Sequence, residues 1–271
     1  MLDQITLVYC LCDDLLKAKG HRDHSLSRMT DAECMTTALT ASHFFGGCIE
    51  TARVYLFEHA LMPRMLSKSR LSRRIHRLSD AFAHLFEALG SAFKQSAAEP
   101  TYVLDTMPVP ALENARIPRA RLYRDASFRG YQASKRRFFF GLKIHMVVDV
   151  HGRPVEAMLT PGSCADVRGL YGLPLDLPQG STLIGDKGYN DAGAEALLME
   201  SGIDVLPIGR SNMRQHERAL KLWISSERKR VETAFSGIAA LMPRSIHAVT
   251  PRGFEIKTFL FVVAYAITCL T

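Results

Sequence analysis

The sequence has no pair of cysteines at the short spacing typical of a zinc site. Its six cysteines, at positions 10, 12, 34, 48, 164 and 269, are irregularly spaced and include no Cys-x-x-Cys pair. A structural zinc site usually takes two such close ligand pairs. The pattern therefore argues against zinc and favours reduced, mostly buried thiols, as in a cytosolic protein.

Long hydrophobic runs and a secretory leader are also lacking. The most apolar stretch is TFLFVVAYAITCL at 258–270, which is too short to span a bilayer and predicts a buried terminal helix. The first residues, MLDQITLVYCLCDDLLKAKG, have no basic n-region and no small-residue cleavage site. A signal peptide is therefore not expected, and we expect a cytoplasmic protein.

Acidic residues are fewer than basic ones. The 271 residues include 27 Asp and Glu against 34 Lys and Arg, which gives a formal net charge of +7. This balance favours nucleic acid or an anionic surface as a partner. With 47% hydrophobic residues, the chain can build a sizeable core in one or two domains.

The first 96 residues carry helical patterns and few strand signals. The segment MTDAECMTTALTASHFF at 29–45 opens with a capping box from Thr30 to Glu33. Further helical segments follow at 49–62 and 66–93, the second with a basic surface of Arg70, Arg73, Arg74 and Arg77. Two interpretations stay open: a helix-turn-helix-like module that reads DNA ends, or a helical domain with a solvated basic face.

After the linker-like segment KQSAAEP at 94–100, the periodicity changes to that of strands. Strands are predicted at 101–106, 138–150, 155–160, 181–186 and 203–208, with helices at 191–202 and 216–241. This order predicts an α/β fold with a mixed five-stranded sheet and flanking helices, and it resembles the ribonuclease-H-like fold. We predict a small all-α domain over 1–96, followed by a ribonuclease-H-like domain over 97–271.

Three acidic residues fall on three of these elements. Asp105 ends the first predicted strand, Asp186 ends the fourth within LIGDKGYN, and Glu232 lies on the long helix. Each has a simpler explanation alone, since aspartate after a strand favours turns and Glu232 has Arg228 as an ion-pair partner one turn away. Because the first and fourth strands are neighbours in the fold that this order resembles, the three acids are expected to converge on divalent cations.

Several stretches resemble the successive motifs of bacterial insertion-sequence transposases of the DDE class. They are YVLDTMPVP, FFFGLKIHMVVD, LTPGSCADVRG, LIGDKGYND and ERKRVETAFSGI. The resemblance implies that Asp105, Asp186 and Glu232 are the catalytic triad and hold two Mg²⁺ ions, with Mn²⁺ as an alternative. It implies cleavage of double-stranded DNA at terminal inverted repeats, transfer of the freed 3′-OH into target DNA, a homo-oligomer on DNA, and association with the bacterial nucleoid.

The sequence departs from the family pattern at two places near Glu232. Ser225 and Ala239 stand where related proteins often carry tyrosine and lysine, so DNA contacts made by those side chains are not expected here. Glu227 is a rival third acid. Because it lies on the packing face beneath Val231, Glu232 is the preferred ligand.

Basic residues surround the predicted acidic centre. The segment 115–137 is rich in Arg and Lys, with Tyr123, Phe128 and Tyr131 interspersed, and reads as a phosphate-binding and base-stacking loop or as a solvated one. The predicted DNA contacts are Arg119, Arg121, Lys135, Arg136, Arg137, Lys143, Lys187, Arg228, Lys229 and Arg230. Asp166 is either an auxiliary carboxylate or a turn residue.

Two alternatives to a transposase stay open from the sequence. One is a ribonuclease-H-like nuclease that cuts DNA without joining strands. The other is a catalytically inactive DNA-binding protein derived from a transposase.

Overall fold

The chain folds into two compact units. A computed structural model describes residues 1–97, 99–119, 122–189, 191–207 and 217–271. One unit combines Met1–Leu89 with Ile238–Thr271, and the other comprises Gly90–Gly237. The compact units therefore group the C-terminal segment with the N-terminal helices, whereas the functional division into 1–96 and 97–271 stays a prediction.

The first unit is helical. Its helices, in chain order, are α1 (Leu2–Ala18), α2 (Asp31–Phe44), α3 (Ile49–Glu58), α4 (Lys68–Arg77), the first part of α5 (Ser79–Ser96) and α9 (Pro251–Thr268). The capping box predicted for α2 is present: Thr30 Oγ1 accepts from the Glu33 N–H, and a Glu33 oxygen accepts from the Thr30 N–H. The expected buried terminal helix is α9, with Thr250 as its N-cap.

Helix α2 is the centre of this unit. It contacts α1, α3, α4 and α9 and is buried along most of its length. Small side chains allow this close packing, and the buried Thr36 and Ser42 hydroxyls donate to the carbonyls of Ala32 and Ala38. Among the described residues, no helix combines the length and apolarity needed to cross a membrane.

The second unit contains a six-stranded mixed sheet with flanking helices. Its strands are β1 (Thr101–Leu112), β2 (Arg129–Gln132), β3 (Arg137–Asp149), β4 (Pro154–Pro161), β5 (Ser181–Gly185) and β6 (Ile203–Pro207). The helices are the end of α5, α6 (Asp166–Gly172), α7 (Ala192–Glu200) and most of α8 (Glu217–Leu241). The predicted mixed sheet with flanking helices is confirmed, with one strand more than expected.

The sheet order is β2-β3-β1-β5-β6, and β4 also pairs with β3. Strand β3 is antiparallel to β1, β2 and β4, whereas β1, β5 and β6 are parallel. The first and fourth predicted strands, here β1 and β5, therefore lie side by side as expected. The additional strand β2 comes from the basic segment that was predicted as a loop.

The prediction that β1 ends at Asp105 was wrong. The strand continues to Leu112 through Pro108 and Pro110, paired with β3. Pairing with β5 stops at Leu104, so beyond that residue β1 has β3 as its neighbour in the described sheet. A strand with a free edge tolerates proline, because the missing N–H is not needed for a second ladder.

One arginine of the predicted basic helical surface is instead part of the helical unit's interior network. Arg74 donates from Nε to Asp31 Oδ1 at 2.6 Å, from Nη1 to Ser27 Oγ at 2.6 Å and from Nη2 to Asp23 Oδ1 at 3.0 Å. Asp31 also contacts His21 Nε2 at 2.8 Å through its other oxygen. Arg74 therefore ties the segment before α2 to α4, while Arg70, Arg73 and Arg77 are exposed.

Replacing Arg74 by methionine should destabilise the protein strongly. The side chain keeps its apolar stem, but Asp31 loses its cation in a largely buried position, which costs roughly 3 kcal/mol of unfolding free energy. Urea unfolding measures the effect, and Arg73→Met, at an exposed site on the same helix, should stay within about 0.5 kcal/mol of the unaltered protein. Equal stability of the two variants would contradict the structural role of Arg74.

Candidate active site

The sheet register places two of the predicted acids side by side. The parallel pairing of β1 with β5 ends at the partners Leu104 and Gly185. Asp105 and Asp186 are the next residues on the two chains, so both follow the last rung of one ladder. Since the adjacent strands are about 4.8 Å apart, the two carboxylates are held in each other's field.

One guanidinium bridges the two aspartates. Arg228 Nη2 lies 3.7 Å from Asp105 Oδ2 and 3.5 Å from Asp186 Oδ2. Helix α8 delivers this side chain because the neighbouring Val231 is fully buried and anchors that face of the helix. Arg228, predicted as a DNA contact, is thus an ion-pair partner of both acids in this structure.

The surroundings of Asp105 shift its pKa upward. Burial raises its pKa most strongly. The Thr106 N–H, which donates to Asp105 Oδ1 at 2.7 Å, and the Arg228 guanidinium lower it, whereas the carboxylates of Asp186 and Asp166 raise it. The net direction is upward, which means that the Thr106 N–H and Arg228 together do not outweigh the cost of burying the Asp105 charge.

Asp166 is a third carboxylate close to this pair. It is the first residue of α6, and its Oδ1 lies 2.9 Å from Lys143 Nζ and 3.5 Å from Thr106 Oγ1. Lys143 also donates to the Cys164 carbonyl at 2.9 Å. The alternatives left by the sequence were an auxiliary carboxylate and a turn residue; Asp166 begins a helix and adds negative charge beside Asp105.

Glu232 is exposed on α8, one turn after Arg228. In the described part of the chain, one group of three acidic, histidine or cysteine side chains has its ligand atoms within 4.8 Å of each other, and it consists of His21, Asp23 and Asp31. Asp105, Asp186 and Glu232 are therefore not gathered at metal-ligand spacing here. The rival acid Glu227 is buried, as expected, and its Oε2 lies 2.8 Å from Arg230 Nε.

The predicted DNA contacts divide into engaged and exposed side chains. Lys143, Arg228 and Arg230 contact acids of the protein, and Arg230 also donates to the Val150 carbonyl. The exposed ones are Lys135, Arg136, Arg137 and Lys229. Arg121 and the side chains of Arg119 and Lys187 lie outside the described residues.

A buried histidine and tyrosine, not singled out from the sequence as site residues, lie behind the acids. His145 Nε2 is 2.8 Å from Thr160 Oγ1, and its Nδ1 is 3.5 Å from the Tyr189 hydroxyl. Burial lowers the pKa of His145 to about 4, so its ring is neutral near pH 7. Burial, followed by the charges of Asp166, Asp105 and Asp186, raises the pKa of Tyr189. Both side chains are thus neutral and pack behind the acids. Of the two, Tyr189 could have been identified from the sequence, because it lies in the motif GDKGY.

The match to one protein-family model supports the DDE transposase class that the sequence resembles. Residues 95–243, slightly more than half of the chain, match the family model described as "Transposase DDE domain". The cryo-EM structure of a piggyBac transposase synaptic complex with hairpin DNA is similar at a TM-score of 0.47 and 12% identity, over 98% of this chain and 71% of that one. No curated protein sequence matches the chain.

Helix α6, which begins at Asp166, packs closely against His145, and a substitution in α6 can test this packing. A Cβ atom at Gly169 would overlap the His145 ring, which is fixed by its contact with Thr160. Gly169→Ala should therefore lower the unfolding free energy by about 1–3 kcal/mol, as overpacking of a core does.

The matched control for this change is Gly172→Ala on the same helix. There the added Cβ would lie 2.8 Å from Met158 Cε, the end of a flexible side chain. We expect a clearly smaller loss of stability in thermal unfolding. A Gly169→Ala protein as stable as the control would show that His145 is not held rigidly.

Proposed function

Because the chain belongs to the DDE transposase family, whose members cleave DNA and transfer its strands, we propose that Asp105, Asp186 and Glu232 are the catalytic acids that hold its divalent cations. DDE transposases generally use divalent metal ions. We propose Mg²⁺, with two ions bound and Mn²⁺ as an alternative, because carboxylate oxygens are the ligands that these hard cations prefer. When bound, such ions stabilise the attacking and leaving oxygens of an in-line phosphoryl displacement.

The observation that carries this proposal is the position of Arg228. A single positively charged nitrogen contacts one oxygen of Asp105 and one of Asp186. One cationic group thus already lies between the two carboxylates, which supports the proposal that they share a metal ion. The upward shift of the Asp105 pKa, caused mainly by burial, supports the same conclusion, since a cation beside a buried carboxylate offsets the cost of its charge.

Glu232 is the proposed third ligand because of its place on α8. A residue one turn from Arg228 has its Cβ about 5–6 Å from that of the arginine. The exposed Glu232 side chain is free of the packing that holds Glu227 in the interior. Asp166 is the competing third acid: it already lies near Asp105, but Lys143 neutralises it at 2.9 Å.

In this proposal, the exposed and the acid-paired basic residues contact DNA in different ways. Lys135, Arg136, Arg137 and Lys229 are exposed and would neutralise phosphates of the terminal inverted repeats or of the target. Arg119, Arg121 and Lys187 keep their predicted DNA contacts. Lys143, Arg228 and Arg230 would contact phosphate either in addition to their acidic partners or in place of them.

We propose that two or more copies of the protein act together on paired DNA ends.

The first test is cleavage of DNA that carries the ends of the encoding element. With Mg²⁺, we expect Asp105→Asn, Asp186→Asn and Glu232→Gln each to reduce cleavage at least 100-fold, because each removes a charged ligand oxygen. Binding to the same DNA with EDTA present should change less than threefold. Glu227→Gln and Asp166→Asn serve as matched controls for the identity of the third acid.

The pattern of losses decides the assignment. Full cleavage by Glu232→Gln together with loss in Asp166→Asn would transfer the third role to Asp166. Joined products in the presence of a target distinguish a transposase from a nuclease that only cuts. Binding without any metal-dependent cleavage would identify an inactive derivative.

The second test concerns the competition between Arg228 and the metal ion. Arg228→Gln removes two weak ion pairs, together worth about 1 kcal/mol, so Ca²⁺ should bind about three- to tenfold more tightly to this variant. Thermal unfolding should show a lower midpoint without metal and a larger increase on adding Ca²⁺.

Lys229→Gln is the matched control, since it removes the same charge from the next, exposed position of α8. Its Ca²⁺ affinity should equal that of the unaltered protein. Unchanged Ca²⁺ affinity in Arg228→Gln would refute the idea that guanidinium and metal compete for the same two carboxylates.

A further inference from the structure

The β2–β3 hairpin presents a pair of half-exposed aromatic rings. Tyr131 and Phe138 are direct partners in the antiparallel register, and their ring centroids are 5.0 Å apart. Tyr131 is 51% exposed and Phe138 is 50% exposed. Tyr123, an aromatic residue of the same basic region, is instead buried and stacked on Phe128 at 4.0 Å.

We propose that the Tyr131–Phe138 ring pair is a stacking platform for an unpaired DNA base. This rests on the proposed function in one respect: DNA must pass close to the acids for the platform to meet it. Aromatic side chains on a basic surface bind unpaired bases whatever their sequence, because every base has a π-face. Cross-strand packing alone would not require half of each ring to stay in solvent.

Charge identifies the occupant as a nucleic acid. The segment from Ala126 to Val148 contains no Asp or Glu, and it contains Arg129, Lys135, Arg136, Arg137 and Lys143. The Arg129 guanidinium lies 4.8 Å from the Phe138 ring centroid, which places a positive charge at the platform. Lys143 is paired with Asp166, but the other four basic side chains are exposed. An apolar protein partner would not need them, whereas a base carries its phosphate with it.

The ring pair lies on the part of the sheet that extends beyond Asp105 and Asp186. Beyond Leu104, β1 continues with β3 without β5, and β2 pairs with the far end of β3. Phe138 lies five positions before Lys143, whose Nζ contacts Asp166. At about 3.3 Å per residue this is roughly 17 Å, or about five nucleotides of a strand from the proposed site of cleavage.

Close packing fixes the position of the β2–β3 hairpin. A Cβ atom at Gly130 would overlap the Gly162 carbonyl oxygen, so the hairpin backbone lies tightly against the end of β4. Tyr131 is the next residue along the chain, so the same contact fixes its backbone position. A ring pair held by a rigid element is ready to receive a base without ordering a loop first.

The test compares two synthetic 30-bp duplexes, one fully paired and one with a central unpaired bubble that contains 2-aminopurine. Binding is measured by anisotropy in EDTA. Without substitution, we expect at least fivefold tighter binding of the bubble and a change in 2-aminopurine fluorescence. In Tyr131→Leu/Phe138→Leu, which keeps apolar side chains, the preference should fall below twofold while affinity for the paired duplex stays within twofold.

Phe57→Leu is the matched control, because Phe57 is a similarly exposed aromatic, 53%, on α3. It should keep the preference for the bubble. Each single variant, checked by thermal unfolding, replaces the double variant if that protein unfolds. The proposal is overturned if the unaltered protein shows no preference, or if folded variants retain it.

Asp105→Asn separates this proposal from the proposed catalytic site. It should lose metal-dependent cleavage and keep the preference for the bubble. Cleavage by the Asp105→Asn protein would refute the catalytic assignment. The comparison of bubble and paired duplex would still test the platform, because it does not depend on cleavage.

Discussion

Two carboxylates held side by side by a sheet need a cation between them, and this constraint organises the catalytic unit. The parallel ladder of β1 and β5 ends at Leu104 and Gly185, so the backbones of the next residues, Asp105 and Asp186, are held close together. Arg228 on α8 supplies the charge. The position of α8 against this part of the unit is therefore coupled to the electrostatics of the sheet edge, and a change at either would be felt at the other.

Three of the predicted DNA contacts in the described part of the chain are paired with acids of the protein. Lys143 contacts Asp166, Arg228 contacts Asp105 and Asp186, and Arg230 contacts Glu227. The exposed ones lie on the β2–β3 hairpin and on α8. This distribution suits a site that must hold metal ions and bind a polyanion: paired charges near the centre avoid competing with the ions, and unpaired charges farther out can meet phosphate.

Much of the fold could be predicted because its elements follow local rules. The capping box of α2 and the apolar patterns of α8 and α9 each depend on residues that are close together in the sequence. The β1 extension was missed because its prolines are tolerated only where β5 is absent, which is a tertiary fact. The adjacency of Asp105 and Asp186 followed from strand order, whereas the contact of Arg228 depends on the rotation of a helix about its axis, which periodicity leaves open.

The acidic side chains in the described part of the site suit a divalent cation. Asp105, Asp186 and Asp166 lie there with the cations Lys143 and Arg228. Burial is the main cause of the raised pKa of Asp105, and a further cation at this carboxylate would offset the cost of keeping it charged. Under the proposed assignment, adding Glu232 or releasing Arg228 would make the site more negative. Asp105, Asp186 and Glu232 would then hold a divalent ion in place of the guanidinium, and Arg228 would be available to bind phosphate.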